Sequence, residues 1–174
     1  VPDWPRLTDR PFHETDVLFC FHYDPGVPVS QRATESISVA ATPAAVYAVA
    51  IDFPNYPSWV ADLKTVTVLA TDDEGRGLDV EFRAAAFGRS STYSLRYDYS
   101  QAPEVLAWTQ IKSDLTAKLD GTYRFEPQGE GTLVRYELEV DLVVPIPGFV
   151  KSRAASRIMT QALRELKARA EKLA

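Results

Sequence analysis

Polar and apolar positions alternate with a period of two along much of the second half of the chain. Leu119, Gly121, Tyr123 and Phe125 alternate with Asp120, Thr122, Arg124 and Glu126. Val134, Tyr136, Leu138, Val140 and Leu142 alternate with Arg135, Glu137, Glu139 and Asp141. Antiparallel strands with one face on a core and one in water produce this pattern. The same period turns Val80, Phe82, Ala84 and Ala86 inward over 77–87, and Tyr93, Leu95, Tyr97 and Tyr99 inward over 92–100. Over 105–112 both parities are partly apolar, and the inward face stays undecided. Turn signals at 72–75, 88–91, 101–103, 113–114 and 128–131 separate these runs from one another and from a further strand over 63–71. Six strands joined by hairpin-length connections follow.

The closing stretch, 149–173, changes period. Val150, Ala154, Ala155, Ile158, Ala162, Leu166 and Leu173 recur at spacings of three, four and seven, one apolar stripe on a long helix. Pro145 and Pro147 give it a sharp start. At 1.5 Å per residue it is about 35–40 Å long, and only the strands are extensive enough to cover its apolar side. Ahead of the strands, 33–39 alternates as a first strand. Thr42 then caps a short helix opened by Pro43, with Val46, Val49 and Ala50 on its buried side. A second short helix is predicted over 55–61. The order predicts an α+β fold: a curved seven-stranded antiparallel sheet around a long C-terminal helix, with two short helices between strands 1 and 2. One domain spans 32–174. Residues 1–31 hold five of the twelve prolines, both histidines and the one cysteine. They read as an N-terminal extension with little structure, or one added strand at 16–23.

Three stretches carry a family resemblance: ATESISVAATPAAVYAVAIDFPNYPSWVADLKTVTVL, YSLRYDYSQAPEVLAWTQI, and the closing VPIPGFVKSRAASRIMTQALRELKARAEKLA. Together they resemble the START-like, or SRPBCC, superfamily with the Bet v 1-like helix-grip fold, and within it the polyketide cyclase/dehydrase and lipid transport family. The resemblance covers 32–174. It implies a deep apolar cavity between sheet and final helix that holds a lipid, a polyketide or another hydrophobic molecule. It also implies, for the family's cyclases, an arginine and tyrosines that steer a poly-ketone chain through aldol closure and dehydration.

Composition narrows the chemistry. A hydrophobic content of 45% suits one folded domain, and no apolar run approaches a transmembrane length. No basic-then-apolar signal pattern opens the chain, and a lone Cys20 suits a reducing compartment, so a cytoplasmic location is expected. The net charge of −5 gives no pull toward nucleic acid. From 149 onward seven basic residues oppose two acidic ones, leaving −10 for the rest. A solvated helix face accounts for this; a transient membrane contact through the basic helix is the sharper expectation. Residues 32–174 contain no histidine and no cysteine, which excludes a Ser-His-Asp triad, a cysteine nucleophile and a His/Cys zinc site from the domain. No cofactor and no metal are expected.

What remains is aromatic. Tyr56, Trp59, Phe82, Tyr93, Tyr97, Tyr99, Trp108 and Tyr123 are the expected cavity lining, with phenol and indole tips for ligand oxygens. For any single tyrosine, plain core filling competes with that reading. Arg83 and Arg96 share parity with acidic neighbours and face solvent, so no arginine aims clearly into the cavity. Phe87, Arg89, Asp114 and Phe149 lie where the entrance is expected, as gates. The leading reading is a binder of a hydrophobic small molecule, as carrier or sensor, more than an enzyme. The alternative is a polyketide cyclase/dehydrase-type enzyme, and an interaction module is third. Monomer and homodimer stay open.

Overall fold

The computed structural model describes residues 31–86, 89–143 and 148–174. In chain order the elements are β1 (Gln31–Val39), α1 (Pro43–Ile51), a 3-10 segment (Phe53–Ser58), β2 (Leu63–Thr71), β3 (Gly77–Ala86), β4 (Arg89–Asp98), β5 (Val105–Ser113), β6 (Thr116–Gln128), β7 (Gly131–Leu142) and α2 (Gly148–Leu173). The strands form one antiparallel sheet in the order β1-β7-β6-β5-β4-β3-β2. Strands β2 to β7 are a meander, as their short turns require. β1 and β2 occupy opposite edges, so the connection between them must cross the concave side. That is why α1 and the 3-10 segment interrupt the strands where they do. Thr42 caps α1 by accepting a hydrogen bond from the Ala45 N–H, and Pro43 fills the first turn where its missing donor costs nothing.

α2 packs against β1, β7 and α1. Its buried stripe is Ala155, Met159, Leu163, Leu166 and Ala170. This corrects the expected stripe at two positions: Ile158 is 46% exposed and Leu173 60% exposed. Met159 follows Ile158 by about 100° around the helix and belongs to the 4-4-3-4 series that meets the sheet. Hydrophobicity alone favoured isoleucine; the helical phase favoured methionine. Burying Met159, Leu163 and Leu166 contributes on the order of 1.5–3 kcal/mol each. The side chains of Val150 and Ala154 lie outside the described residues.

Polar contacts tie the helix to both edges of the sheet. At the β1 edge, the Ala40 N–H donates to Glu171 Oε1 at 2.7 Å, and Lys167 Nζ donates to the Ser38 carbonyl at 2.7 Å and to Glu171. The Ala40 N–H first, and Lys167 second, hold the Glu171 carboxyl below the usual carboxylate range. At the β2 edge, the Ala61 N–H donates to Glu165 Oε1 at 3.3 Å and Gln161 Nε2 to Asp62 Oδ2 at 3.2 Å. The helix is thus clamped across the open side of the sheet.

Candidate functional site

The concave face is paved with aromatic rings, and the strand register sets their order. Phe82 and Tyr93 are partners across β3 and β4, stacked with centroids 5.2 Å apart. Tyr97 and Trp108 are partners across β4 and β5, at 6.1 Å. Tyr123 and Tyr136 are partners across β6 and β7, at 4.5 Å. Trp108 bridges the two halves, 5.2 Å from Tyr123 and 5.6 Å from Tyr136. From above, Phe53 meets Tyr97 at 4.5 Å, and Tyr56 meets Trp59 at 4.7 Å. The undecided face of β5 is therefore settled with Trp108 inward. Its cross-strand partner Gly121 makes room: a Cβ there would lie 2.3 Å from the indole.

The polar ends of these rings have unequal fates. Tyr56 donates to the Ala50 carbonyl at 2.5 Å and Tyr99 to the Gly77 carbonyl at 2.6 Å. Tyr123 and Tyr136 influence one another's titration across the β6–β7 pair. Tyr93 and Tyr97 make no side-chain hydrogen bond among the described residues. Desolvation is the first cause raising the phenols of Tyr56, Tyr93, Tyr97, Tyr99, Tyr123 and Tyr136 above their ordinary range, so all stay protonated donors at neutral pH. Tyr56, Tyr93 and Tyr123 combine deep desolvation with retained accessible surface. Their rings therefore face the interior of the fold, because an outward-facing ring would not be so strongly desolvated.

Two buried polar atoms among the described residues lack a well-formed hydrogen bond, Tyr47 Oη and Trp59 Nε1. Tyr47 lies beside the Arg76 guanidinium, which pulls its pKa down while burial, the larger influence, pushes it up. Arg76 sits 4.3 Å over the Tyr99 ring and pairs with Asp72 at 2.7 Å and Glu74 at 3.1 Å. A depression of about 570 Å³ adjoins this arginine, with Leu78, Tyr97, Tyr99 and Trp108 among its walls.

Sequence reasoning passed over Arg76 because it precedes a strand and has no parity to read. It also passed over Glu35. On β1, Ala33, Ile37 and Val39 face the core, and Glu35 shares their parity, half-buried and directly across from Tyr136. A single acid within an apolar row was the available signal. Glu35 makes no hydrogen bond or ion pair among the described residues. Arg83 is exposed, and Arg96 is exposed and bonded through two nitrogens to Asp79 at 2.7 and 2.6 Å. Asp114 in the β5–β6 turn accepts from Ser91 Oγ at 2.6 Å and from the Thr92 N–H at 3.1 Å, fastening that turn to β4. Phe87 and the side chains of Arg89 and Phe149 lie outside the described residues, as do residues 1–30. Among the described residues no group of three or more His, Cys, Asp or Glu is arranged to hold a metal ion, and no helix is long and apolar enough to cross a membrane.

A seven-stranded sheet clamping one long helix over an aromatic interior is the architecture that the sequence resemblance implied. The family described as polyketide cyclase / dehydrase and lipid transport matches residues 30–171. The chain belongs to this family. No curated protein matches it. Among solved structures, this cyclase/dehydrase family member is similar to a START superfamily protein from Mycobacterium smegmatis, with 23% identity over 82% of this chain and 99% of that one, and a TM-score of 0.78. It is also similar to the ZhuI aromatase/cyclase from Streptomyces sp. R1128, at 18% identity over 82% and 94% of the two chains, TM-score 0.67. The protein TTHA0849 from Thermus thermophilus matches at 21% identity over 81% and 94%, TM-score 0.65. At these identities the likeness establishes the helix-grip fold of the polyketide cyclase/dehydrase family and leaves the chemistry to the residues.

Proposed function

We propose that this protein binds a hydrophobic small molecule of the polyketide type between the sheet and α2, and promotes its cyclisation and dehydration by hydrogen-bond donation. The observation that carries the reading is the set of phenols that are deeply desolvated yet retain accessible surface. In a low-dielectric interior, a fixed O–H aimed at a ketone oxygen stabilises the negative charge that develops when an enol carbon attacks that ketone. Tyr93 and Tyr97 have hydroxyls free for that role. The methylene between two ketones is already acidic, so a modest base suffices to enolise it, and Glu35 opposite Tyr136 is the carboxylate on the concave face. The aldol step forms one carbon–carbon bond; loss of the new hydroxyl with a neighbouring hydrogen then releases water.

A passive carrier is the second reading, and a specific observation favours it. Every phenol of the interior is shifted away from neutral pH, and residues 32–174 hold no histidine to move a proton. Under that reading the same cavity holds a lipid without altering it. A tetraketide thioester, the shortest poly-ketone chain whose aldol closure gives a six-membered ring, separates the two when incubated with the protein. Cyclase chemistry yields a product lighter by one water, at a rate lowered by Tyr97→Phe and by Glu35→Gln. Saturable binding with unchanged mass after long incubation would leave only the carrier.

A further inference from the structure

Three arginines stand unopposed on the outer crest of α2. Arg153, Arg157 and Arg164 are exposed, and none makes a hydrogen bond or ion pair among the described residues. Steps of four and seven residues keep them within about 40° of one another around the helix, over about 16 Å of its length. No residue three or four positions from any of them is acidic. Arg153 and Arg157 form a like-charge pair one turn apart, which costs helix stability. The helix dipole does not account for the stripe, since it favours cations in the last turn and all three lie earlier.

The acids of α2 have other tasks. Glu165 accepts from the Ala61 N–H, and Glu171 from the Ala40 N–H and Lys167, so both hold the helix to the sheet edges. On the sheet side, Arg32, Arg76, Arg96 and Arg135 each pair with a carboxylate. The α2 stripe instead borders a depression of about 580 Å³, where Ser156, Thr160 and Gln161 add neutral donors beside Arg157 and Arg164. Glu165 lies at its margin, and Asp62 is bonded to Gln161. Ile158, 46% exposed, flanks the stripe. Guanidinium forks with neutral donors between them suit phosphate oxygens.

We infer that the outer face of α2 docks the protein on an anionic lipid bilayer, with Arg157 and Arg164 on headgroup phosphates and Ile158 at the interface. Charge complementarity carries the inference. From 149 onward seven basic residues oppose two acidic ones, in a chain of net charge −5, so α2 turns toward an anionic surface and the acidic remainder turns away. Acids on the outer sheet face, such as Glu126 and Glu139, are paired with Arg135 and Lys118. They lie on the far side of the sheet, and salt screens exposed charges more than about 8 Å apart. A protein interface is built around an apolar, aromatic core, whereas Ile158 is the one large exposed apolar side chain of this stretch among the described residues. The choice of a bilayer rests on the hydrophobic-ligand reading, because such a ligand partitions into membranes. Docking is measured with no ligand present, so the two can fail separately.

The full chain is co-sedimented with vesicles of phosphatidylcholine, and with vesicles of phosphatidylcholine mixed with phosphatidylglycerol. It should pellet with the mixed vesicles only, and added salt should release it. Arg157→Gln and Arg164→Gln should each lower the partition coefficient roughly fivefold, with Tm unchanged. Arg135→Gln removes the same charge from the outer sheet face and should not lower it. No pelleting at low salt, equal pelleting with neutral vesicles, or the same loss in Arg135→Gln as in Arg157→Gln overturns the inference and leaves the ligand reading in place. Retention on soluble polyglutamate without vesicle binding also overturns it, and reassigns the stripe to an acidic protein.

Discussion

Gly121→Ala is the smallest change that interrogates how the aromatic interior is built. The added Cβ would lie 2.3 Å from Trp108 Cζ2 and 2.7 Å from Cε2, with the Glu137 carbonyl oxygen at 3.0 Å on the backbone side. Two effects oppose. Replacing glycine in a strand reduces the freedom of the unfolded chain and stabilises by about 0.5–1 kcal/mol. Overpacking a filled core costs about 1–3 kcal/mol. The second wins here because the indole has nowhere to go: it is 6% exposed and hemmed by Tyr97, Tyr123 and Tyr136. At roughly 2–4 °C per kcal/mol for a chain of this size, Tm should fall by up to roughly 10 °C. Thermal unfolding by circular dichroism measures this, and tryptophan fluorescence should report the displaced indole. In the Trp108→Leu background the added methyl should cost far less, a coupling that a double-mutant cycle exposes. An unchanged or raised Tm for Gly121→Ala, with unchanged fluorescence, would refute the packing described for Trp108.

Other consequences follow from the same interior. All seven tyrosines of residues 32–174 have pKa values raised above the unfolded value of about 10, so their stabilisation is present below pH 10 and lost as pH climbs beyond it. Phenolate absorbance should therefore rise steeply together with loss of secondary structure; gradual titration near pH 10 in a folded protein would contradict the burial. Glu171 is depressed, so its contribution is present above the ordinary glutamate pKa and disappears as pH falls through the lower folded value. Glu171→Gln should lower Tm at neutral pH, and the gap from the unmodified protein should close in acid; a constant gap would mean that charge plays no part. Asp114→Ala removes the acceptor of Ser91 Oγ and the Thr92 N–H, and should destabilise by about 1–2 kcal/mol and speed exchange of a bound probe. Unchanged exchange in that variant would assign Asp114 a purely structural role.

Much of the fold was legible because its strands are one-sided. β6 and β7 alternate so strictly that face and order could be read residue by residue. The meander could be read from chain order as well, since no turn is long enough for a crossover. The helix was harder. Apolar stripes on α2 differ by one residue, and the choice between Ile158 and Met159 depends on phase against the sheet rather than on hydrophobicity. β5 could not be phased, because Trp108 and its neighbours on both parities are apolar; the vacancy that fixes it is Gly121, on another strand. Glu35 and Arg76 escaped for different reasons. One interrupts an apolar row in a short edge strand, and the other lies in a turn where no periodicity applies. Which hydroxyl is free and which is bonded depends on carbonyls distant in sequence, such as Gly77 for Tyr99. No local pattern carries that.

The proposed function requires an internal, phenol-lined space that admits a flat hydrophobic molecule. A crystal structure of the protein grown with 9,10-anthraquinone tests it most directly. Density for the quinone is expected between the sheet and α2, against Phe82, Tyr93 and Tyr97. Binding at the surface alone, with those rings closed on one another and no space among them, would contradict it.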